Sequence, residues 1–275
     1  MTRYKQTQLG KQTHYADQYD PSLLCPIPRG EARPAESLSK DLPFKGVDLW
    51  TAYELSWLNA DGLPQIVIAE FEVPCDSDFI IESKSFKLYL NSYSQTQFSS
   101  QEQVKERLLA DLSSAAGKNV DVALYQISEF NGFKPIGEPQ GICIDHESVS
   151  IDCYHPNPSL LQVDSAEIAE ETLYSHLLKS NCPVTDQPDW GSVYISYKGP
   201  KIEPAGLLKY IVSYRQQQDF HELCVESIFA DIMTHCAPEK LTVYGCYLRR
   251  GGLDINPFRS TCYTRPPTSY RQVRQ

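Results

Sequence analysis

Cys182 lies in the polar stretch Lys179-Ser180-Asn181-Cys182-Pro183-Val184-Thr185-Asp186-Gln187-Pro188-Asp189-Trp190-Gly191, where two prolines stiffen the backbone around a thiol. A thiolate held in such a loop is a nucleophile. Asp189, seven residues on, is near enough for the loop to fold its carboxyl over the same pocket. The same cysteine also reads as a small buried apolar side chain, as most of the other eight cysteines do. His221-Glu222, at the start of an apolar helix, brings a titratable pair suited to proton transfer, or an exposed pair with no role. In Glu82-Ser83-Lys84-Ser85-Phe86-Lys87 the serines suit caps or turns, and Lys84 and Lys87 suit solvent. Arg249-Arg250-Gly251-Gly252 puts two guanidinium groups before a flexible turn, which suits phosphate but is also common on surfaces. No C-x-x-C, H-E-x-x-H, G-x-G-x-x-G or Walker loop occurs, so the spacing offers neither a metal site nor a glycine-fingerprint nucleotide site.

These residues need elements to position them. Residues 66–73 are β-branched enough for a strand, and 86–90 continue in short apolar alternation. Ser99 and Glu102 have capping-box spacing. Val104, Leu108, Leu109 and Leu112 then share a helical face that Gly117 ends. Residues 120–127 read as a strand. The plan recurs with a strand at 193–197, a turn and apolar segment at 207–214, a helix at 220–236 and a strand at 241–247. Glu82, Tyr89, Ser92, Tyr93 and Gln95 match Glu203, Tyr210, Ser213, Tyr214 and Gln216, each 121 positions on. Phe98 and Phe220 follow one residue out of step, which sets His221 opposite Ser99. Between the copies come a strand-like piece at 141–154, a proline turn at 155–158 and a helix at 165–180 with Asp164 and Glu167 at capping-box spacing. Cys182 would then follow a helix C-terminus.

The expected architecture is α+β: an N-terminal arm over 1–48, a first module over 49–140, and a linker with the second, nucleophile-bearing module over 141–275. With 41% hydrophobic and 22% charged residues the chain is globular. Its net charge of −10 disfavours gripping nucleic acid, and Arg271 and Arg274 read as a solvated tail. The first twenty residues lack the apolar run of a signal peptide, and no stretch approaches a membrane span. Nine cysteines, an odd count, fit a reducing compartment, so cytoplasm is expected.

Four segments together resemble one family. They are residues 79–89 (Phe-Ile-Ile-Glu-Ser-Lys-Ser-Phe-Lys-Leu-Tyr), the loop from Cys182 to Trp190, residues 220–226 (Phe-His-Glu-Leu-Cys-Val-Glu) and residues 249–257 (Arg-Arg-Gly-Gly-Leu-Asp-Ile-Asn-Pro). They resemble the NADPH-dependent 7-cyano-7-deazaguanine reductases in their long, two-module form, from about residue 49 to 259. The resemblance implies two tandem tunnelling-fold (T-fold) modules, with antiparallel sheets and helices on one face. It implies reduction of the substrate nitrile to the primary amine, 7-aminomethyl-7-deazaguanine, by two NADPH through a cysteine thioimide, in tRNA queuosine biosynthesis. Cys182 would be the nucleophile, Asp189 the proton donor and His221 a proton-transfer group. Ile81, Glu82, Ser83, His221 and Glu222 would bind the base. Ser83, Lys84, Arg250 and Gly251 would hold NADPH, and no metal would be needed. The partner would be the free base, not nucleic acid or membrane, and sheet edges that pair across subunits suggest a homodimer. The competing readings are a zinc cyclohydrolase of the same fold and a non-catalytic scaffold.

Overall fold

The computed structural model describes residues 15–33, 42–266 and 270–275. The expected arm therefore lies partly outside the described residues, at 1–14 and 34–41. In chain order the elements are β1 (Pro26–Pro28), α1 (Arg29–Ala32), β2 (Lys45–Leu58), β3 (Pro64–Pro74), β4 (Phe79–Ile81), α2 (Ser83–Ser92), α3 (Gln101–Ala116), β5 (Asp121–Tyr125) and α4 (Ile127–Phe133). There follow β6 (Ile142–Cys143), β7 (Val163–Asn181), β8 (Pro188–Ile202), α5 (Pro204–Ser213), α6 (His221–Cys236), β9 (Lys240–Tyr247) and β10 (Leu253–Ser260). Two compact units result. The first comprises Asp48–Ile136, Arg249–Asp254 and the described part of Met1–Arg33. The second comprises Gly137–Leu248, Ile255–Gln275 and the described part of Pro34–Val47. Among the described residues no helix is long and apolar enough to cross a membrane.

In the first unit the strand order is β5-β3-β2, with β3 and β5 antiparallel, and β1 pairs antiparallel with β4. In the second it is β10-β9-β8-β7-β6, antiparallel except for the short parallel β6–β7 pair. Helix α6 packs on the second sheet. A Cβ at Gly245 would stand 2.7 Å from Val225 Cγ2, so only glycine lets the helix come this close.

Several expectations change. Residues 165–180 are strand: β7 runs unbroken through them and pairs with β8 from Val163↔Ile202 to Asn181↔Pro188. The acidic segment had the charge texture of a helix, but long-range pairing with an apolar partner strand outweighs local propensity. Residues 86–90 belong to helix α2, and 207–214 lie almost wholly in helix α5. Of 141–154 only Ile142–Cys143 is strand. The cap of α3 is Ser100, whose hydroxyl accepts from Gln103 N, one residue later than expected. Nor is the tail solvated: Gln272 and Gln275 are buried, Gln272 Nε2 donates to Tyr194 Oη and Arg274 donates to His176 O.

The units share a hydrogen-bond pattern. Tyr89 bonds both Tyr93 Oη and Asp111, as Tyr210 bonds both Tyr214 Oη and Asp231. Ser92 and Ser213 each donate to the carbonyl of the tyrosine three residues back, and accept from Asp20 N and Asn157 N respectively. Asp20 and Asn157 in turn cap the short 3-10 helices Pro21–Leu23 and Pro158–Leu160. The repeat therefore reaches back to Asp20-Pro21-Ser22-Leu23-Leu24, whose counterpart is Asn157-Pro158-Ser159-Leu160-Leu161. That match was open to reading. Only its different offset hid it.

Candidate functional site

Cys182 follows β7 directly and is the first residue of the β7–β8 hairpin loop, not the residue after a helix. Its N–H donates to Gln187 O at 2.9 Å, and its carbonyl accepts from Asp186 N at 3.1 Å. Asp186 takes the left-handed conformation (φ 57°), which an aspartate tolerates in a tight turn. The loop is tied to the segment before α6. Asn181 N donates to Gln217 O, Asp219 N donates to Asn181 O, and Gln218 Nε2 donates to Asp186 Oδ1 at 3.0 Å. Lys179 Nζ, bonded to Asn181 Oδ1 and Arg215 O, adds a further tie.

That tether sets the spacing of the other expected groups. Asp189 is the second residue of β8 and lies across the ladder from Ser180. His221 is the first residue of α6, and its Nε2 stands 3.3 Å from Asp189 Oδ2 with both side chains buried. The imidazole stacks on Tyr247, ring centroids 3.7 Å apart and planes 4° from parallel. His221 Nδ1 is buried with no hydrogen-bond partner among the described residues. Glu222, next on the helix, is also buried. Burial pushes the Cys224 thiol well above its ordinary range, with Asp219 adding to the shift, so that cysteine stays protonated and unreactive. Tyr247 was not expected in the site. A tyrosine inside an apolar strand gives no local signal.

The first unit carries the same scaffold with different side chains. Leu58 is bonded to Thr96 and Phe98 as Asn181 is to Gln217 and Asp219. Asn59 closes its turn to Leu63 and Gly62 as Cys182 closes its own to Gln187 and Asp186. Asn59 thus stands where the second unit has Cys182. Gln65, second in β3, stands where it has Asp189, and Gln101, first in α3, where it has His221. The Ser99 equivalence shifts accordingly, because both helices start one residue after a cap. At these three positions thiol, carboxyl and imidazole occur in the second unit only.

The first unit gathers the remaining residues. Glu82 is the N-cap of α2, and its carboxylate accepts from Lys84 N and Ser85 N, each at 2.8 Å. Burial holds its carboxyl above the usual carboxylate range, while those two amides, Lys87 and Lys84 pull the other way. Ile81 is buried beside it in β4, and Ser83 and Lys84 open the helix. Arg250 and Leu253 close a two-residue turn, with Arg250 N donating to Leu253 O at 2.9 Å. Gly251 and Gly252 have φ of 59° and 78°, the double positive φ of a type I′ turn, which glycine accepts without strain. A Cβ at Gly251 would stand 3.4 Å from Lys87 Cδ, so the turn lies against Lys87 of α2, the helix that Ser83 and Lys84 open. Lys87, expected only to face solvent, completes this cluster. The clue was that the second copy has Leu208 at that position, 121 residues on. Arg249 packs over the Tyr53 ring at 4.0 Å. Ammonium and guanidinium groups around a glycine turn form a donor set that fits phosphate.

Two family models match the chain. "Nitrile reductase, 7-cyano-7-deazaguanine-reductase N-term" covers residues 15–124, and "QueF-like protein" covers 188–266. A Paraburkholderia phytofirmans protein is 54% identical over 98% of this chain and 99% of its own. One from Chromohalobacter salexigens is 53% identical over 97% and 96%. Both are named NADPH-dependent 7-cyano-7-deazaguanine reductase. The chain belongs to that family. The reductase N-terminal model starts at residue 15, so it takes in the Asp20 repeat as well as Ile81 to Lys87. Asp189, His221, Glu222, Tyr247, Arg250 and Gly251 fall in the second match, and Cys182 lies between the two. A relative from Burkholderia multivorans, 54% identical over 97% of both chains, carries the same reductase name.

Proposed function

We propose that this protein reduces the nitrile of 7-cyano-7-deazaguanine to the primary amine, with two NADPH as reductant and Cys182 as covalent nucleophile. The single observation that carries the reading is the buried His221–Asp189 pair, 3.3 Å apart, which sets the first residue of α6 against the hairpin that Cys182 opens. The overall change balances as nitrile, two NADPH and two protons giving amine and two NADP⁺. NADPH, when bound, supplies one hydride to the thioimide carbon and, after the thiolate has left, a second to the resulting imine.

The chain's own groups move the protons. Asp189 takes the Cys182 thiol proton, Sγ bonds to the nitrile carbon as one carbon–nitrogen π bond opens, and Asp189 delivers that proton to the nitrogen. A neutral nitrile is a poor hydride acceptor, whereas a protonated carbon–nitrogen double bond is a good one. His221, bonded to Asp189 through Nε2, passes on the further proton that the amine needs. Its unpartnered Nδ1 is a polar atom left for a ligand to satisfy. Glu222 and Glu82 are the carboxylates read as acceptors for the ring N–H and exocyclic amine of the base, and Ile81 and Ser83 adjoin Glu82 in the chain. Ser83, Lys84, Arg250 and Gly251 would bind the cofactor phosphates. The reading takes each module as a T-fold unit, with 1–48 as an arm and 49–140 and 141–275 as modules, and the assembly as a homodimer.

Incubation with 7-cyano-7-deazaguanine in the absence of NADPH should give a covalent adduct of one base per chain, seen by intact mass and by absorbance beyond the free base. Cys182→Ala should form none. An adduct in that variant, or parent protein that consumes other than two NADPH per nitrile, would sink the proposal.

A further inference from the structure

We infer that Tyr247 is a positioning residue for proton transfer, acting through the face of its ring on His221; this rests on the reading proposed above. The stack, at 3.7 Å and 4°, is close to parallel, and both partners are buried. An imidazole at the first position of a helix has no side chain of its own element before it to hold its plane. Asp189 meets one edge, at Nε2, and a single contact of 3.3 Å leaves the ring free to turn about that point. The tyrosine face removes that freedom. Its own position is doubly fixed, since Tyr247 N donates to Asn256 Oδ1 and Tyr247 O accepts from Gln275 Nε2. The phenol is buried beside Ser180, two residues before Cys182, so the ring bridges the strand that leads into the nucleophile and the helix that bears the proton carrier.

The first unit supplies the comparison. Gly191 pairs with Tyr247 in the β8–β9 ladder, and in the β3–β5 ladder the matching register leads to Gln126, next after Tyr125. Gln126 Nε2 donates to Gln101 Oε1 at 3.0 Å, and Gln101 is the first residue of its helix as His221 is of α6. The scaffold therefore brings these two positions into contact whatever occupies them. The unit without thiol or carboxyl holds a polar pair there, and the unit with both holds an aromatic stack. Contact at that place belongs to the fold. A flat ring under the imidazole belongs to the chemistry.

The test compares Tyr247→Phe, which keeps the ring, with Tyr247→Met, which fills similar volume without one. Rates are expressed per adduct-forming site, titrated with 7-cyano-7-deazaguanine, so that any misfolded fraction drops out. The Met variant should keep adduct formation and a substrate KM within about twofold, while kcat falls on the order of 10- to 100-fold, as for a misplaced catalytic group. The Phe variant should stay within about threefold of the parent. A Met variant with parental kcat overturns the inference, and so does a Phe variant that loses as much as Met. Parent protein without any Cys182 adduct would instead overturn the proposed function itself.

Discussion

Asp189 and His221 meet at 3.3 Å although one is the second residue of a strand and the other the first residue of a helix 32 positions later. The tether of the β7–β8 hairpin to Gln217, Gln218 and Asp219 and the packing of α6 on the second sheet bring them together.

Asp189→Asn keeps the size and one hydrogen-bonding oxygen but cannot give up a proton. Adduct formation should slow by on the order of 100-fold or more, the usual span of a general acid. Stopped-flow absorbance measures it, and an unchanged rate would remove Asp189 from the protonation step.

Lys87 and Arg250 flank Gly251 in the first unit. A charge-assisted bond to phosphate is worth about 1.5–3 kcal/mol, which corresponds to roughly 10- to 100-fold in affinity. Lys87→Ala and Arg250→Ala should each weaken binding of 2′,5′-ADP by such a factor in calorimetry, and leave the Cys182 adduct intact. Parental affinity in both variants would place the cofactor phosphates elsewhere.

Arg259 and Glu226 form a fully buried pair, with Nε at 3.0 Å and Nη2 at 2.8 Å from Glu226 Oε1. Removing the acid strands a guanidinium in the second unit's core. Glu226→Ala should cost about 3–5 kcal/mol and lower Tm by roughly 10 °C. A change below 2 °C would show the pair to be replaceable.

Burial raises Cys224, Tyr210, Tyr214 and Tyr247 well above their ordinary 9.0 and 10.0. In alkali the native state therefore holds protons that the unfolded chain has lost, and stability falls as pH rises. Their contribution is full below about pH 9 and then declines by about 1.4 kcal/mol per pH unit for each group. Urea midpoints at pH 7.5, 9 and 10.5 should be level and then drop. A midpoint unchanged at pH 10.5 would contradict the burial of these groups.

The local pattern was enough for some elements and not for others. Helix α3 was legible because four apolar residues recur at helical spacing between a serine cap and a left-handed glycine (φ 70°). Helix α2 was not, because Phe86, Leu88 and Leu90 alternate like a strand. The helical signal lay in Tyr89 and Tyr93, four apart with hydroxyls bonded to each other. Strand β7 was misread because its acidic face looks helical by charge, and what makes it a strand is a partner beginning seven residues after its end.

The amino-acid sequence by itself determined which groups are available: one thiol braced by prolines, a carboxyl and an imidazole–carboxyl pair in one copy, and cations beside glycines. It also determined the repeat, since identities at a constant offset need no coordinates. Tertiary structure alone decided that Cys182 opens a hairpin, that Asp189 meets His221, and that Tyr247 lies flat beneath the imidazole. Those are contacts between strands and a helix distant in sequence. Ladder register and helix packing set them, and neither leaves a periodic trace in the residues that it joins.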